Sequence, residues 1–194
     1  MSMPHPAPTG VQRSPQPFLS PGDPRIMPDK LIIMGIGVTD PSHIKDYTKP
    51  RSSGFEWGVD IFRRMLEPFG WRVETVYFNS KYTYHIDCLM MQIAEGVYAV
   101  PEMNPDLGPI WWTDLPKDIA DKWECIEVPF EEQQNGVCNS VIISDGKFVM
   151  DASCEKTAEI LTKKGYNPVL VPYQTNWHTF HSGIHCSTCR FWSE

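Results

Sequence analysis

The order strand–turn–strand–helix–strand occurs three times along this 194-residue chain, and the recurrence limits the fold more than any other feature. In the first pass, "GDPRIM" and "KLIIMGIG" flank a "PDK" turn. The segment "GFEWGVDIFRRMLEPFG" then places Phe55, Val59, Phe62, Leu66 and Phe69 on one helical face. Pro68 and Gly70 stop that helix, and "WRVETVYF" alternates like a strand. In the second pass, "YTYHIDCLMMQI" and "GVYAVPE" read as strands joined around Ala94 and Glu95, followed by a short helix "PKDIADKW" and the strand "CIEVPF". The third pass reads "NSVIIS", a hairpin turn at Asp145-Gly146, "KFVMD", a helix "CEKTAEILTKKG" stopped by Gly165, and "NPVLVPY".

The repeat lies in the order of elements and not in residue identity, so two architectures fit it. One is an ordinary α+β domain. The other is a propeller-like array of ββαβ units about a shared axis, in which three units form an open ring. In such an array, residues from separate units meet at the central axis, and the unpaired ends expose apolar surface.

Length and composition suit one packed domain: hydrophobic residues make up 41%, with 7 Trp, 9 Phe and 7 Tyr. The formal charge of −7 repels phosphate and argues against a nucleic-acid ligand. No apolar run is long enough to span a bilayer. Residues 1–17, rich in Pro and Ser, read as a disordered tail, leaving 18–194 as the folded domain. That N-terminal stretch lacks the apolar core of a signal peptide. The six cysteines, at 88, 125, 138, 154, 186 and 189, are therefore expected reduced, in a cytoplasmic protein.

Three stretches carry chemistry. "YHIDCLM" puts His85 and Asp87 two apart on an apparent strand, sharing a face with Leu89 and Met91, while Ile86 and Cys88 point the other way. A carboxylate beside an imidazole raises the proportion protonated, as a general acid requires, though the same pair could simply brace a strand. "HSGIHCSTC" admits three readings: a zinc set of Cys186 and Cys189 with His181 or His185, a redox pair, or one nucleophilic cysteine. CxxC occurs once, His185 abuts Cys186, and no helix follows the pair, so the single nucleophile fits best and no metal is expected. Gly183 beside it permits close backbone approach. Asp23, in "SPGDPRIM", reads alone as a turn residue.

Together, "YHIDCLM", "FVMDAS" and "SGIHCSTC" resemble the amidinotransferase branch of the guanidino-modifying enzymes, and "FEWGVDIFRRMLEPFGWRV" looks like that family's helix and strand before its His-x-Asp segment. The likeness runs from about Pro21 to the C-terminus. It implies an α/β fold of the pentein type, a β/α propeller of ββαβ modules, here a partial ring of about three. It also implies an amidinotransferase that moves the amidino group of L-arginine to an amine such as glycine, releasing ornithine, through a covalent amidino-cysteine.

By motif, the resemblance makes Cys186 the nucleophile, His85 the acid/base and Asp87 a guanidinium-binding carboxylate. Asp23 is a second carboxylate, Asn139 and Gly183 are substrate-binding positions, and Cys189 is left a structural role. A guanidinium is planar, cationic and a poor electrophile, so paired carboxylates, a thiolate and a positioned acid are what its chemistry needs. No cofactor is implied. With water as acceptor the same intermediate gives an arginine deiminase-type hydrolase, and without turnover the chain is an arginine-binding remnant. The family's glycine run before the nucleophile is reduced here to Gly183, with His181 and Ser182 adding bulk beside the substrate path, and Val137 stands two before Asn139 in place of a small polar residue. Penteins have five modules, so a second copy or a partner chain would complete the ring.

Overall fold

The computed structural model describes residues 22–44, 54–144, 146–180 and 182–188. The expected tail over residues 1–17 lies outside them. Pro24–Met27 (β1) turns back through Asp29 and Lys30, both left-handed, to pair antiparallel with Leu31–Val38 (β2). Helix Gly54–Leu66 (α1) and one 3-10 turn, Glu67–Phe69, end at Gly70 with φ 77, and Arg72–Asn79 (β3) then runs parallel to β2. A parallel neighbour cannot be reached by a hairpin, which is why a crossover helix stands between β2 and β3.

The same plan recurs twice. Met91–Ala94 (β4) and Val97–Pro101 (β5) are antiparallel, Lys117–Ala120 (α2) crosses over, and Glu124–Val128 (β6) runs parallel to β5. After Phe130–Gln133 (α3), Val141–Ser144 (β7) and Lys147–Asp151 (β8) are antiparallel. Glu155–Lys163 (α4) then leads to Asn167–Val171 (β9), parallel to β8. Among the described residues the strands form three separate three-stranded sheets, each in sequence order, so the three ββαβ units expected from the sequence are present. A last helix, Gln174–Phe180 (α5), carries the chain to its C-terminal turn.

The cores show how the units stack. Leu31 and Ile33 of β2 join Val76, Phe78, Tyr98, Val100 and Ile119 in a core between the first two units. The alternate residues Ile32, Met34 and Ile36 pack with Val59, Val73 and Tyr77 beneath α1. Strand β2 is thus apolar throughout because both its faces are covered. Ala99, Ile126 and Val128 meet Phe148, Met150, Ala158 and Leu161 in the second inter-unit core. The third sheet ends the array among the described residues, and on its edge strands Ile143 and Leu170 stand 57% and 44% exposed.

Three local expectations are corrected. "YTYHIDCLMMQI" is not one strand: Ile86–Cys88 is a 3-10 turn, and only Met91–Ala94 pairs as β4. The turn closes because Leu89 N and Met90 N both donate to Ile86 O, and every residue from Ile86 to Met91 is buried, so polarity along it carries no period-2 signal. Phe69 is 69% exposed, since the helical step is lost in the 3-10 turn beyond α1; Val59, Phe62 and Leu66 do share the buried face. The side chain of Phe55, and Asp145 of the expected hairpin turn, lie outside the described residues.

Candidate functional site

Three irregular segments converge at the site: the 3-10 turn Ile86–Cys88, the loop after α3, and the turn spanning residues 184–187. The first is seated on Gly22, whose carbonyl accepts from Asp87 N at 3.3 Å. A Cβ at Gly22 would lie 2.5 Å from His85 Nδ1 and 2.9 Å from Asp87 Oδ1, so the absence of a side chain there lets the imidazole and the carboxylate crowd one spot. The second segment presents Asn139, 1% exposed, with its backbone N–H donating to Gly136 O at 2.9 Å.

The third segment docks on Asn139 through backbone and side chain alike. His185 N donates to Asn139 O, and Cys186 N donates to Asn139 Oδ1, each at 3.1 Å. Ser187 N and Thr188 N close the turn onto Gly183 O and His185 O. A Cβ at Gly183 would fall 2.2 Å from Asn139 Oδ1, so only glycine allows this approach.

At the centre is the carboxylate of Asp87, 1% exposed. Its Oδ2 contacts His185 Nδ1 at 2.9 Å and accepts from the Cys186 thiol at 3.2 Å, and its Oδ1 accepts from the Cys88 thiol at 3.4 Å. From the opposite side, Asn139 Nδ2 donates to both sulfurs, at 3.1 Å for Cys186 and 3.2 Å for Cys88. Burial pushes the Asp87 carboxyl up, but the His185 hydrogen bond, the Arg25 charge and the Cys186 thiol outweigh it, and the group is held below the ordinary carboxylate range.

The two thiols are driven apart. The hydrogen bond from Cys88 is the main influence lowering Cys186; burial and Asp87 oppose it, Asn139 adds to it, and the net direction is down. Cys88 moves well up, first through its hydrogen-bond coupling to Cys186 and then because it is buried. The result is an exposed Cys186 whose thiol is lowered from the ordinary cysteine value, beside a buried Cys88 whose thiol is raised above it.

His85 flanks the same carboxylate. Its Nε2 is 3.9 Å from Asp23 Oδ1, and its ring meets Tyr84 edge-on at 4.6 Å between centroids. Asp23 is buried, with its carboxylate turned toward His85. Among the residues singled out from sequence, Cys186, Asp87, Asn139 and Gly183 are in one contact cluster, with His85 and Asp23 on its flank. His181 and Cys189 lie outside the described residues, and with them the zinc and redox-pair readings of "HCSTC" that need them. Asp87, Cys88 and Cys186 each bring one ligand atom within 4.8 Å of the others, close enough for a thiophilic ion to touch all three.

Sequence reading missed two members and misplaced a third. Cys88 was expected to face away from Asp87, and it does not, because the backbone is a 3-10 turn and not a strand. His185 was weighed only as a zinc ligand, and here it is bound to Asp87. Arg25, buried in β1, carried no signal beyond the rarity of a charge between apolar neighbours in "RIM". Beside the site opens a cleft of about 600 Å³, whose lining includes Tyr82, Tyr84, Asn104, Phe130, Gln133 and Trp177. Gln133 ties it to the cluster, with Nε2 donating to Cys88 O at 2.7 Å.

The fold is the pentein fold shared by guanidino-modifying enzymes, as a partial ring of about three units. An amidinotransferase of the saxitoxin biosynthetic pathway from Microseira wollei superposes with a TM-score of 0.65 at 16% identity, over 89% of this chain and 47% of that one. DDAH from Pseudomonas aeruginosa, solved with citrulline, gives 0.62 at 16% identity over 88% and 55%. Inosamine-phosphate amidinotransferase from Streptomyces griseus gives 0.64 at 14% identity over 89% and 46%. The chain thus spans about half the length of the structures it matches. No protein-family model matches it, and no curated protein sequence matches it either. No helix among the described residues is long and apolar enough to cross a membrane.

Proposed function

We propose that the chain modifies guanidino groups, transferring the amidino group of arginine to a small amine through Cys186. One observation carries the reading: the sulfur of an exposed cysteine stands 3.2 Å from a buried carboxylate that also contacts the His185 imidazole, with His85 and Asp23 beside them, within a fold used for this chemistry. The guanidinium lies against Asp87, exchanging one of its N–H groups for His185 Nδ1 on Oδ2, and Asp23 is the second carboxylate. The Cys186 sulfur forms a bond to the guanidinium carbon. The bond from that carbon to the ornithine nitrogen then breaks as His85 delivers a proton to the leaving amine; the acceptor amine adds to the same carbon and gives a proton back to His85, and the carbon–sulfur bond breaks to return Cys186. Asn139 and Gly183 hold the turn so that the sulfur faces the carbon. The cleft lined by Tyr84 and Gln133 receives the rest of the substrate and the acceptor.

Hydrolysis is the second reading, favoured by the equal likeness to DDAH. There the first adduct expels ammonia and keeps its bond to the ornithine nitrogen; water then adds to the carbon, the carbon–sulfur bond breaks, and citrulline leaves. The third reading, an arginine-binding remnant, is motivated by the half-length overlap with the matched structures. One assay separates them: arginine with and without glycine, on protein whose mass in solution is known. Transfer gives glycine-dependent ornithine, hydrolysis gives citrulline without glycine, and binding alone gives heat in calorimetry without product. Ornithine production that survives Cys186→Ala overturns the mechanism.

A further inference from the structure

The two sulfurs invite a question that arginine chemistry does not answer. Cys88 and Cys186 are 98 positions apart in sequence, yet their Sγ atoms lie within 4.8 Å of each other. They share one amide donor, Asn139 Nδ2, and they contact the two oxygens of one carboxylate. Cys186 is exposed and Cys88 wholly buried. An accessible thiol backed by a shielded one is the arrangement in which a first oxidation is captured before it goes further. We propose that Cys186 and Cys88 form a peroxide-oxidised modification site, closing reversibly to a disulfide that takes the reactive sulfur out of use.

The co-reactant is a hydroperoxide. The Cys186 thiolate attacks its O–O bond; an S–O bond forms, the O–O bond breaks, and water or an alcohol leaves after taking a proton. Cys186 is now a sulfenic acid. The Cys88 sulfur attacks the Cys186 sulfur; the S–S bond forms, the S–O bond breaks, and the departing hydroxide takes the Cys88 proton as water. With hydrogen peroxide, two thiols and one peroxide give one disulfide and two waters, the two electrons passing from sulfur to oxygen. The S–S bond needs about 2.0 Å, so the side chains must rotate together and release Asn139 Nδ2 from between them. A thiol reductant reverses the step.

The site stands whether or not arginine is the substrate, because it concerns sulfur alone. Trypsin leaves Cys88 on the peptide of residues 82–117 and Cys186, with Cys189, on the peptide of residues 165–190. The full-length protein is treated with hydrogen peroxide, blocked with an alkylating agent and digested without reductant. The expected result is the two peptides joined, with fragmentation placing the link on Cys186, and loss of the link on adding dithiothreitol. In Cys88→Ser, Cys186 should pass on to sulfinic acid at several times the wild-type yield. Cys186 recovered in wild type as sulfinic acid, joined to Cys189, or joined to a second copy, with Cys88 still alkylatable after denaturation, overturns the proposal. Wild-type mapping alone decides the matter if the variant does not fold.

Discussion

The candidate site has a wall and a rim, and they are held in place by different physics. The wall, Ile86–Cys88 with Asn139, is buried among the cores: Ile86, Cys88, Leu89 and Met90 are at most 1% exposed. The rim, residues 182–188, carries the exposed Cys186, and the hydrogen bonds described for it outside its own turn run to Asn139 and Asp87. Apolar burial fixes the wall, whereas a few directional polar contacts fix the rim. The Cys186 sulfur therefore depends on three wall side chains, Asn139, Asp87 and Cys88, for its position and its protonation.

Exchanging the central carboxylate tests that dependence most severely. Asp87→Asn keeps the shape but removes the charge that would hold a guanidinium and replaces one of the two carboxylate oxygens with an amide nitrogen, and turnover should fall on the order of a thousandfold. The thiolate should respond in the opposite sense. Asp87 pushes Cys186 up, so its neutralisation should let iodoacetamide labelling of Cys186 persist to lower pH than in wild type. If turnover is lost and the labelling midpoint rises instead, the carboxylate is not the rim's electrostatic partner.

Asn139→Ala cuts the rim from the wall without touching charge. It removes the acceptor of Cys186 N and the donor to both sulfurs, at a cost of about 1–3 kcal/mol in stability by denaturant melt. Misplacing the sulfur by about 1 Å should cost on the order of a hundredfold in turnover. Hydrogen exchange should quicken across residues 183–188 while β5 and β8 stay protected. Uniform loss of protection would mean that wall and rim are one unit and the contrast is false.

How much of this was legible depended on which side of the contrast a residue lies. The ββαβ order was readable because parallel strands must be joined by helices, and helical and strand periods differ. "KFVMD" and "CEKTAEILTKKG" kept their spacing from sequence to structure. The wall was misread where burial is complete: from Ile86 to Met91 no polar face exists to reveal the period, and a 3-10 turn passed for a strand. Motif resemblance pointed to Asp87, Asn139 and Cys186, residues far apart in sequence that the fold brings into contact. It did not find Cys88, whose contact with Asp87 follows from the local 3-10 turn, or the His185–Asp87 contact, which closes across 98 residues. Helix α5, which delivers the rim, was missed: "QTNWHTF" has too few residues and too weak an apolar stripe to declare itself.

Gly183→Ala is a smaller perturbation of the same joint. The added methyl meets Asn139 Oδ1 at 2.2 Å, so the turn must lift, at about 1–3 kcal/mol of overpacking. Because the rim is held by few contacts, it should yield before the wall does, giving about a tenfold drop in turnover with little change in the far-ultraviolet spectrum. A crystal structure of the variant with Asn139 displaced and the turn unmoved would reverse the assignment of which partner is rigid.

The gentlest test leaves every backbone contact in place. Cys88→Ala removes the thiol donor that does most to lower Cys186, and leaves Asp87 and burial to act against Asn139 alone. The lowered thiol of wild type keeps its reactive form to a lower pH than an ordinary cysteine, and losing the donor must move the labelling midpoint up. Asp87→Asn moves it down, so the two variants bracket wild type from opposite sides. Since both residues belong to the wall and Cys186 to the rim, that bracketing would place control of the Cys186 proton in the buried half of the site. A Cys88→Ala midpoint that stays at the wild-type value would return control to solvent and the rim itself.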